Sequence, residues 1–334
     1  MKKIIALVLA LVLCLSASVA LADAWKSGDT VTIVVPAKAG GGSDLYTRYL
    51  AEALKEVCPG VNFVVTNYET GEVGMETIKN AKPDGKTLGV AHGGAIIQWF
   101  TGMTNVNVKD DLQVVGVCNL GGPQAIIAGP NAPYHNYAEL AEYLKANPGQ
   151  VMIGCSLGGT TQMIFTSFVS AIAGDANLAM YVQCASEADK LTQVASGSID
   201  IANCSIPNAL SYEEAGKLTI LGTIGPKVST LPAMSELLGT ELPEQYASGP
   251  EQGVESATWD SCYYILAPKG MDEAQYNAIN EAIMAACGVQ SFIDGNNAMA
   301  TFVSPLNYDE SKAAMENEWN FLDGLVGDLG LKIR

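Results

Sequence analysis

Twice in this chain, about 115 residues apart, an apolar strand-like run stops at a loop of glycines and hydroxyl residues and restarts as a helix. The first copy is Val31-Thr-Ile-Val-Val-Pro36-Ala-Lys-Ala-Gly40-Gly-Gly-Ser-Asp44, and the second is Val151-Met-Ile-Gly-Cys-Ser156-Leu-Gly-Gly-Thr160-Thr161. β-branched residues favour extended backbone, and glycines allow a tight turn that a ligand can approach closely. The start of the following helix carries a partial positive charge. Strands that feed helices through short loops build open α/β layers, whose ligands sit beyond the carboxyl ends of the strands. Each loop is therefore an anion seat, and two of them, one from each of two domains, would grip one ligand in a hinged binding protein.

The rest of the chain continues the alternation. Hydrophobic periodicity predicts strands over 30–35, 62–66, 87–91, 112–118, 125–128, 151–155, 180–183, 199–202, 219–223 and 261–267. It predicts helices over 44–57, 74–79, 137–146, 162–173, 188–196, 272–287 and 308–325. Such alternation implies parallel sheets with helices on both faces. The stretch 231–253, with Pro232, Pro243, Gly249, Pro250 and Gly253, reads as a surface loop or as a return crossing between two domains. The expected division is 25–121 plus 254–334 for one domain and 122–253 for the other.

The N-terminus reads as an export signal. Lys2 and Lys3 precede the apolar run Ile4–Leu15, and Ala20-Leu21-Ala22 offers a small-x-small cut site after residue 22. Leu13 before Cys14 speaks against a lipid anchor, and nothing downstream has the length of an apolar span. Cleavage would remove two of the 18 basic residues and no acid, leaving 16 against 35 and a net charge of −19. That argues against nucleic acid and anionic membrane surfaces as partners, but not against an anionic ligand held by a local field. Seven cysteines would remain, Cys58, Cys118, Cys155, Cys184, Cys204, Cys262 and Cys287, without a CxxC or a His cluster, so no metal and no cofactor is expected.

The candidate ligand contacts are Ala37, Gly41, Gly42, Ser43 and Asp44 in the first loop and Ser156, Gly158, Gly159, Thr160 and Thr161 in the second. Ser43, Ser156, Thr160 and Thr161 supply hydroxyls, and Gly158 and Gly159 would expose amides. Asp44 suits a helix cap or a ligand donor group. His92 ends the strand 87–91, and Asp200 and Asn203 flank the end of another strand, with Pro207 just after. Glu69 and Glu72, if they faced the cleft, would favour a ligand bearing an amine. Gly154-Cys-Ser156-Leu-Gly158 also matches a hydrolase nucleophile elbow, but that fold needs its His after the Ser, and His92 and His135 both precede it. A serine hydrolase using Ser156 and a ligand sensor for a signalling receptor are the alternatives to a transport receptor.

Taken together, Pro36…Gly41-Gly-Ser-Asp44, Ala81-Lys-Pro-Asp-Gly-Lys-Thr-Leu88, Asn147-Pro-Gly-Gln150, Gly154–Thr160, Gly197-Ser-Ile-Asp200 and Ala215-Gly-Lys-Leu218 resemble the substrate-binding proteins of tripartite tricarboxylate transporters, the Bug family of extracytoplasmic solute receptors. The resemblance spans about 31–325. It implies a two-domain, type II-like periplasmic binding protein fold, a carboxylate held between Gly41–Asp44 and Ser156–Thr161, and delivery to the membrane subunits of an ion-driven transporter by a monomeric, non-catalytic receptor. Asn67-Tyr-Glu-Thr-Gly71-Glu-Val-Gly74 and Val182-Gln-Cys-Ala-Ser186 depart from the family pattern, and a typical Lys is missing. A mono- or dicarboxylate, amino-bearing where Glu69 and Glu72 take part, is then expected in place of a triply charged citrate-like acid.

Overall fold

The computed structural model describes residues 24–120, 123–184, 186–225, 235, 246–254, 262–299, 301–328 and 330–334. The export signal (1–22), most of the 231–253 stretch and Gly121-Gly122 lie outside the described residues.

The strands in chain order are β1 (Thr30–Val35), β2 (Asn62–Asn67), β3 (Thr87–His92), β4 (Leu112–Leu120), β5 (Gln124–Ala128), β6 (Val151–Cys155), β7 (Ala179–Gln183), β8 (Ile201–Ser205), β9 (Thr219–Ile224), β10 (Cys262–Pro268) and β11 (Phe302–Leu306). They form two sheets, ordered β11-β4-β10-β3-β1-β2 and β7-β6-β8-β5-β9. Successive side chains of a strand point to opposite faces. Accordingly Val31 and Ile33 enter one cluster with Leu50, Leu54 and Ile283, while Val34 enters another with Met75, Ile97 and Leu322. The second sheet divides in the same way, Ile126 and Ile153 to one face and Ala125, Ile127 and Ala202 to the other.

The sheets are not wholly parallel, as the alternation had implied. β1–β2, β1–β3, β6–β7 and β6–β8 are parallel, but β10 runs antiparallel to β3 and β4, and β5 antiparallel to β8 and β9. The reason is the path of the chain. Only residues 121–123 separate β4 from β5, so β5 enters the second sheet at the carboxyl ends of β8 and β9, with Gln124 opposite Ser205 and Ile224. β10 returns likewise, with Tyr263 opposite His92. Each crossing strand thus starts where its neighbours end, and the carboxyl ends of both sheets are drawn to the crossing.

The helix Gly42–Val57 buries Tyr46, Leu50, Ala51, Ala53 and Leu54, one apolar face at helical spacing, and starts two residues before the expected position. The helix Thr160–Ala173 also starts two residues early and ends on Gly174 in the left-handed region. The short helices Gly94–Phe100, Val108–Asp111, Ile206–Glu214 and Gln290–Ala298 and the strand β11 were not expected from the periodicity. Among the described residues no helix is long and apolar enough to cross a membrane.

Candidate functional site

Gly40 has φ +87°, and this turn aims its N–H at Asp44, which accepts at 2.8 Å. Asp44 also pairs with Arg48 at 2.9 Å and is buried. Burial would push its carboxyl up, but the Arg48 guanidinium, the Gly40 amide and the Asn67 amide outweigh that and hold it below the usual range. Asp44 thus does not cap the helix. It ties the first loop in shape, while Asn67 donates to the Ala37 carbonyl at 3.3 Å. The N-cap of this helix is Gly41, which brings no capping side chain. Asp44 N–H turns back to the Gly41 carbonyl at 3.0 Å, and the Gly42 and Ser43 amides are left for a ligand or water.

The first loop runs beside the hydroxyl of Tyr263, a residue the sequence reading did not single out, and Ser43 acts on it to lower its pKa. A methyl group at Gly42 would stand 3.1 Å from that hydroxyl. Tyr263 stacks on Tyr46 with centroids 4.4 Å apart and meets His92 edge-on at 6.0 Å. Burial pushes the Tyr263 hydroxyl pKa up, with Ser43 opposing it. The Nδ1 of His92 accepts from Gly94 N–H at 3.0 Å, which puts the proton of the neutral ring on Nε2. Burial holds the His92 pKa below its ordinary value, so the ring is neutral at pH 7. Ala37, Ser43, His92 and Gln98 line one cavity of about 50 Å³, room for a few waters at about 10–15 Å³ each. No lysine or arginine lines it.

The second loop reaches the same place. A methyl on Gly94 would lie 2.6 Å from the Thr160 hydroxyl, and Met163 is buried in the cluster of Ile97, Phe100 and Leu322. This helix too has a glycine N-cap, Gly159, with no side-chain cap. The loop amides are a correction to the expectation. Ser156 N–H donates to Thr161 Oγ1 at 2.7 Å, Leu157 N–H to Gln183 Oε1 at 2.9 Å, Gly158 N–H to Gln162 Oε1 at 2.7 Å, and Gly159 N–H to the Ser156 carbonyl at 3.0 Å. Gly158 and Gly159 therefore expose no amides; the loop offers the Ser156 and Thr160 hydroxyls and its helix start.

Three further candidates stand elsewhere. Asn203 lies inside β8, buried, and accepts from Lys190 Nζ at 2.6 Å. Asp200 precedes β8 at the amino end of the sheet, where it accepts from Met152 N–H at 2.7 Å. Pro207 stands exposed at the second position of the helix Ile206–Glu214. The reading put the strand start two residues too early, which moved Asp200 to the wrong end. Glu69 is exposed, 4.0 Å from Lys38, and Glu72 accepts from Asn105 N–H at 3.1 Å; neither lines the cavity.

A model of the tripartite tricarboxylate transporter family receptor matches residues 47–295. The chain belongs to this family. Family members are substrate-binding proteins, not enzymes, so Ser156 is no nucleophile. They are also periplasmic receptors, which implies that this receptor is exported. A UPF0065 protein of Bordetella pertussis is 25% identical over 96% of this chain and 95% of its own. Three solved structures share the fold. The periplasmic binding protein BugD has TM-score 0.72 at 20% identity, covering 91% of this chain and 98% of its own. A Rhodopseudomonas palustris protein with adipate has TM-score 0.71 at 22% identity, covering 90% and 97%. MatC of the same organism, with bound malate, has TM-score 0.70 at 17% identity, covering 89% and 99%.

Proposed function

We propose that this receptor captures a small dicarboxylate between its two glycine loops and delivers it to the membrane subunits of a tripartite tricarboxylate-type transporter. The observation that carries the reading is the approach of two long, glycine-capped helix starts to the Ser43–His92 cavity, one from each sheet, with Thr160 of the second packed beside Gly94 in the cavity wall. One ligand carboxylate would accept from the Ser43 amide and hydroxyl, the Tyr263 hydroxyl and His92 Nε2–H. Thr160, Ser156 and the second helix start would take the other end. Malate and adipate in two relatives of the same fold support a four- to six-carbon diacid. Glu69 and Glu72 have other surroundings, so no amine on the ligand is called for. Residues 25–121 plus 254–334 and 122–253 act as the two domains, hinged at the crossings, and the leader is cut after Ala22.

Thermal shift of residues 23–334, refolded free of ligand, against mono-, di- and tricarboxylates tests the reading. A ligand at 100 times its Kd should stabilise by about 2.7 kcal/mol. The hit should weaken at least tenfold in Ser43→Ala and in Thr160→Ala. A protein that binds no carboxylate, or binds one equally well in both variants, would overturn it.

A further inference from the structure

A second cavity, larger than the anion seat, lies elsewhere. It measures about 260 Å³ and opens at the amino ends of β6 and β8, among Pro130, Tyr134, Tyr143, Gln150 and Asp200. β6 is five residues long, which at about 3.3 Å per residue puts this mouth more than about 10 Å from the Ser156 loop.

We propose that this cavity binds an organic cation, an alkylammonium or guanidinium group. Asp200 is the one charged residue among those lining it, and no lysine, arginine or histidine offsets it. The carboxylate is held by one hydrogen bond and its backbone by two: Oδ2 accepts from Met152 N–H at 2.7 Å, Asp200 N–H donates to the Met152 carbonyl at 2.9 Å, and the Asp200 carbonyl accepts from Gly129 N–H at 3.2 Å. Tyr134 and Tyr143 stand as a tilted pair, centroids 5.2 Å apart. Tyr134 is buried close enough to Asp200 to feel its charge. Aromatic faces beside a carboxylate attract a cation and reject an anion, so a second carboxylate is not the occupant. Pro130 and Pro133 stiffen one wall, and Gly197 at φ +73° turns the chain tightly along another. The volume lies below that of a drug-sized site and suits one basic side chain or a small amine. Here Asp200, set aside by the anion seat, has its role.

Agmatine titrated into residues 23–334 and followed by calorimetry and saturation-transfer NMR tests the proposal. Millimolar or tighter binding is expected, with at least a tenfold loss in Asp200→Asn, which keeps an acceptor for Met152 N–H, and a smaller loss in Tyr143→Leu. Melting curves confirm that each variant is folded. Ser43→Ala should leave agmatine binding unchanged. A blocked peptide, acetyl-Gly-Arg-Gly-amide, identifies the source: binding tighter than agmatine marks a basic side chain of a docking partner, and weaker binding marks a free amine. No agmatine binding at 50 mM, equal binding of neutral valeramide, or affinities within twofold in both Asp200→Asn and Tyr143→Leu would overturn it. None of these outcomes bears on the carboxylate seat.

Discussion

Gly94→Ala is the sharpest test of where the two loops meet. Gly94 opens a short helix and gives its N–H to His92, and a methyl there would fall 2.5 Å from His92 Cε1 and 2.6 Å from Thr160 Oγ1. Non-bonded carbon contacts settle at about 3.5 Å, so something must yield by nearly 1 Å. If the ring rotates, it loses the Gly94 bond and its edge contact with Tyr263; if Thr160 withdraws, the second helix start leaves the cavity. Overpacking costs about 1–3 kcal/mol, and exchanging glycine for alanine returns about 0.4–1 kcal/mol through the unfolded chain. The net loss of about 1–2 kcal/mol should lower Tm by roughly 2–8 °C. Either relief removes at least one hydrogen bond to a charged ligand group, about 1.5–3 kcal/mol, so Kd should rise ten- to hundredfold. Calorimetry with the tightest diacid from the panel, beside a melting curve, reads both numbers. An affinity within twofold of wild type together with the expected fall in Tm would refute the convergence of the loops on the ligand.

Other consequences are open to direct measurement. Because burial depresses the folded pKa of His92, the unfolded chain holds more protons as pH falls below about 6.5, and stability present above that pH is lost on acidification. The loss between pH 7.5 and 5.5 should shrink in His92→Gln melts. An anion beside the ring raises its pKa, so binding should take up protons at mildly acidic pH, seen as buffer-dependent heats in calorimetry. No lysine or arginine lines the seat and the mature chain is strongly acidic, so diacid affinity should stay flat or rise between about 20 and 200 mM salt, where screening acts on long-range repulsion; a steep fall would point to a fixed cation. Gly324 lies inside the last helix with open space where a methyl would go, so Gly324→Ala should raise Tm by roughly 2–4 °C. The seven cysteines of the described residues stand as thiols, six of them buried. Alkylation of native protein should reach Cys262 first, and all seven should label in denaturant without reductant; fewer would reveal a disulfide.

Ten of the eleven strands were legible, most of them to within a residue or two, because Val, Ile and Thr crowd into short runs bounded by Gly and Pro. Their directions were not. Alternation along a chain carries no mark that β5 and β10 are entered from a crossing, and only that entry makes them antiparallel. β11 hid behind Pro305, which an edge strand tolerates. The glycine loops declared themselves by composition, yet Asp44 looked like a cap because an acid at a helix start usually is one; here Gly41 precedes it and Arg48 claims it. Tyr263 could not be found by spacing, since it meets His92 only through the β10–β3 register. The doublet Tyr263-Tyr264 was the available signal, because neighbouring strand residues face opposite sides and one ring had to point away from Met75 and Leu322.

The two halves of the seat divide their labour. Asp44 and Arg48 beside the first loop, and Thr161, Gln162 and Gln183 beside the second, spend their polar groups on the backbone of the loops or on one another. Ser43, His92, Tyr263 and Thr160 are what the loops then present. A loop held in shape before the ligand arrives loses little entropy on binding. This matters more than usual in a seat without a fixed cation, where each helix start contributes about 0.3–1 kcal/mol. The bare backbone of Gly94 is what lets Thr160 approach His92. On the proposed reading, affinity depends on apposition of the two sheets as much as on any one contact, and a transporter that parted them would take the ligand without having to outbid an ion pair.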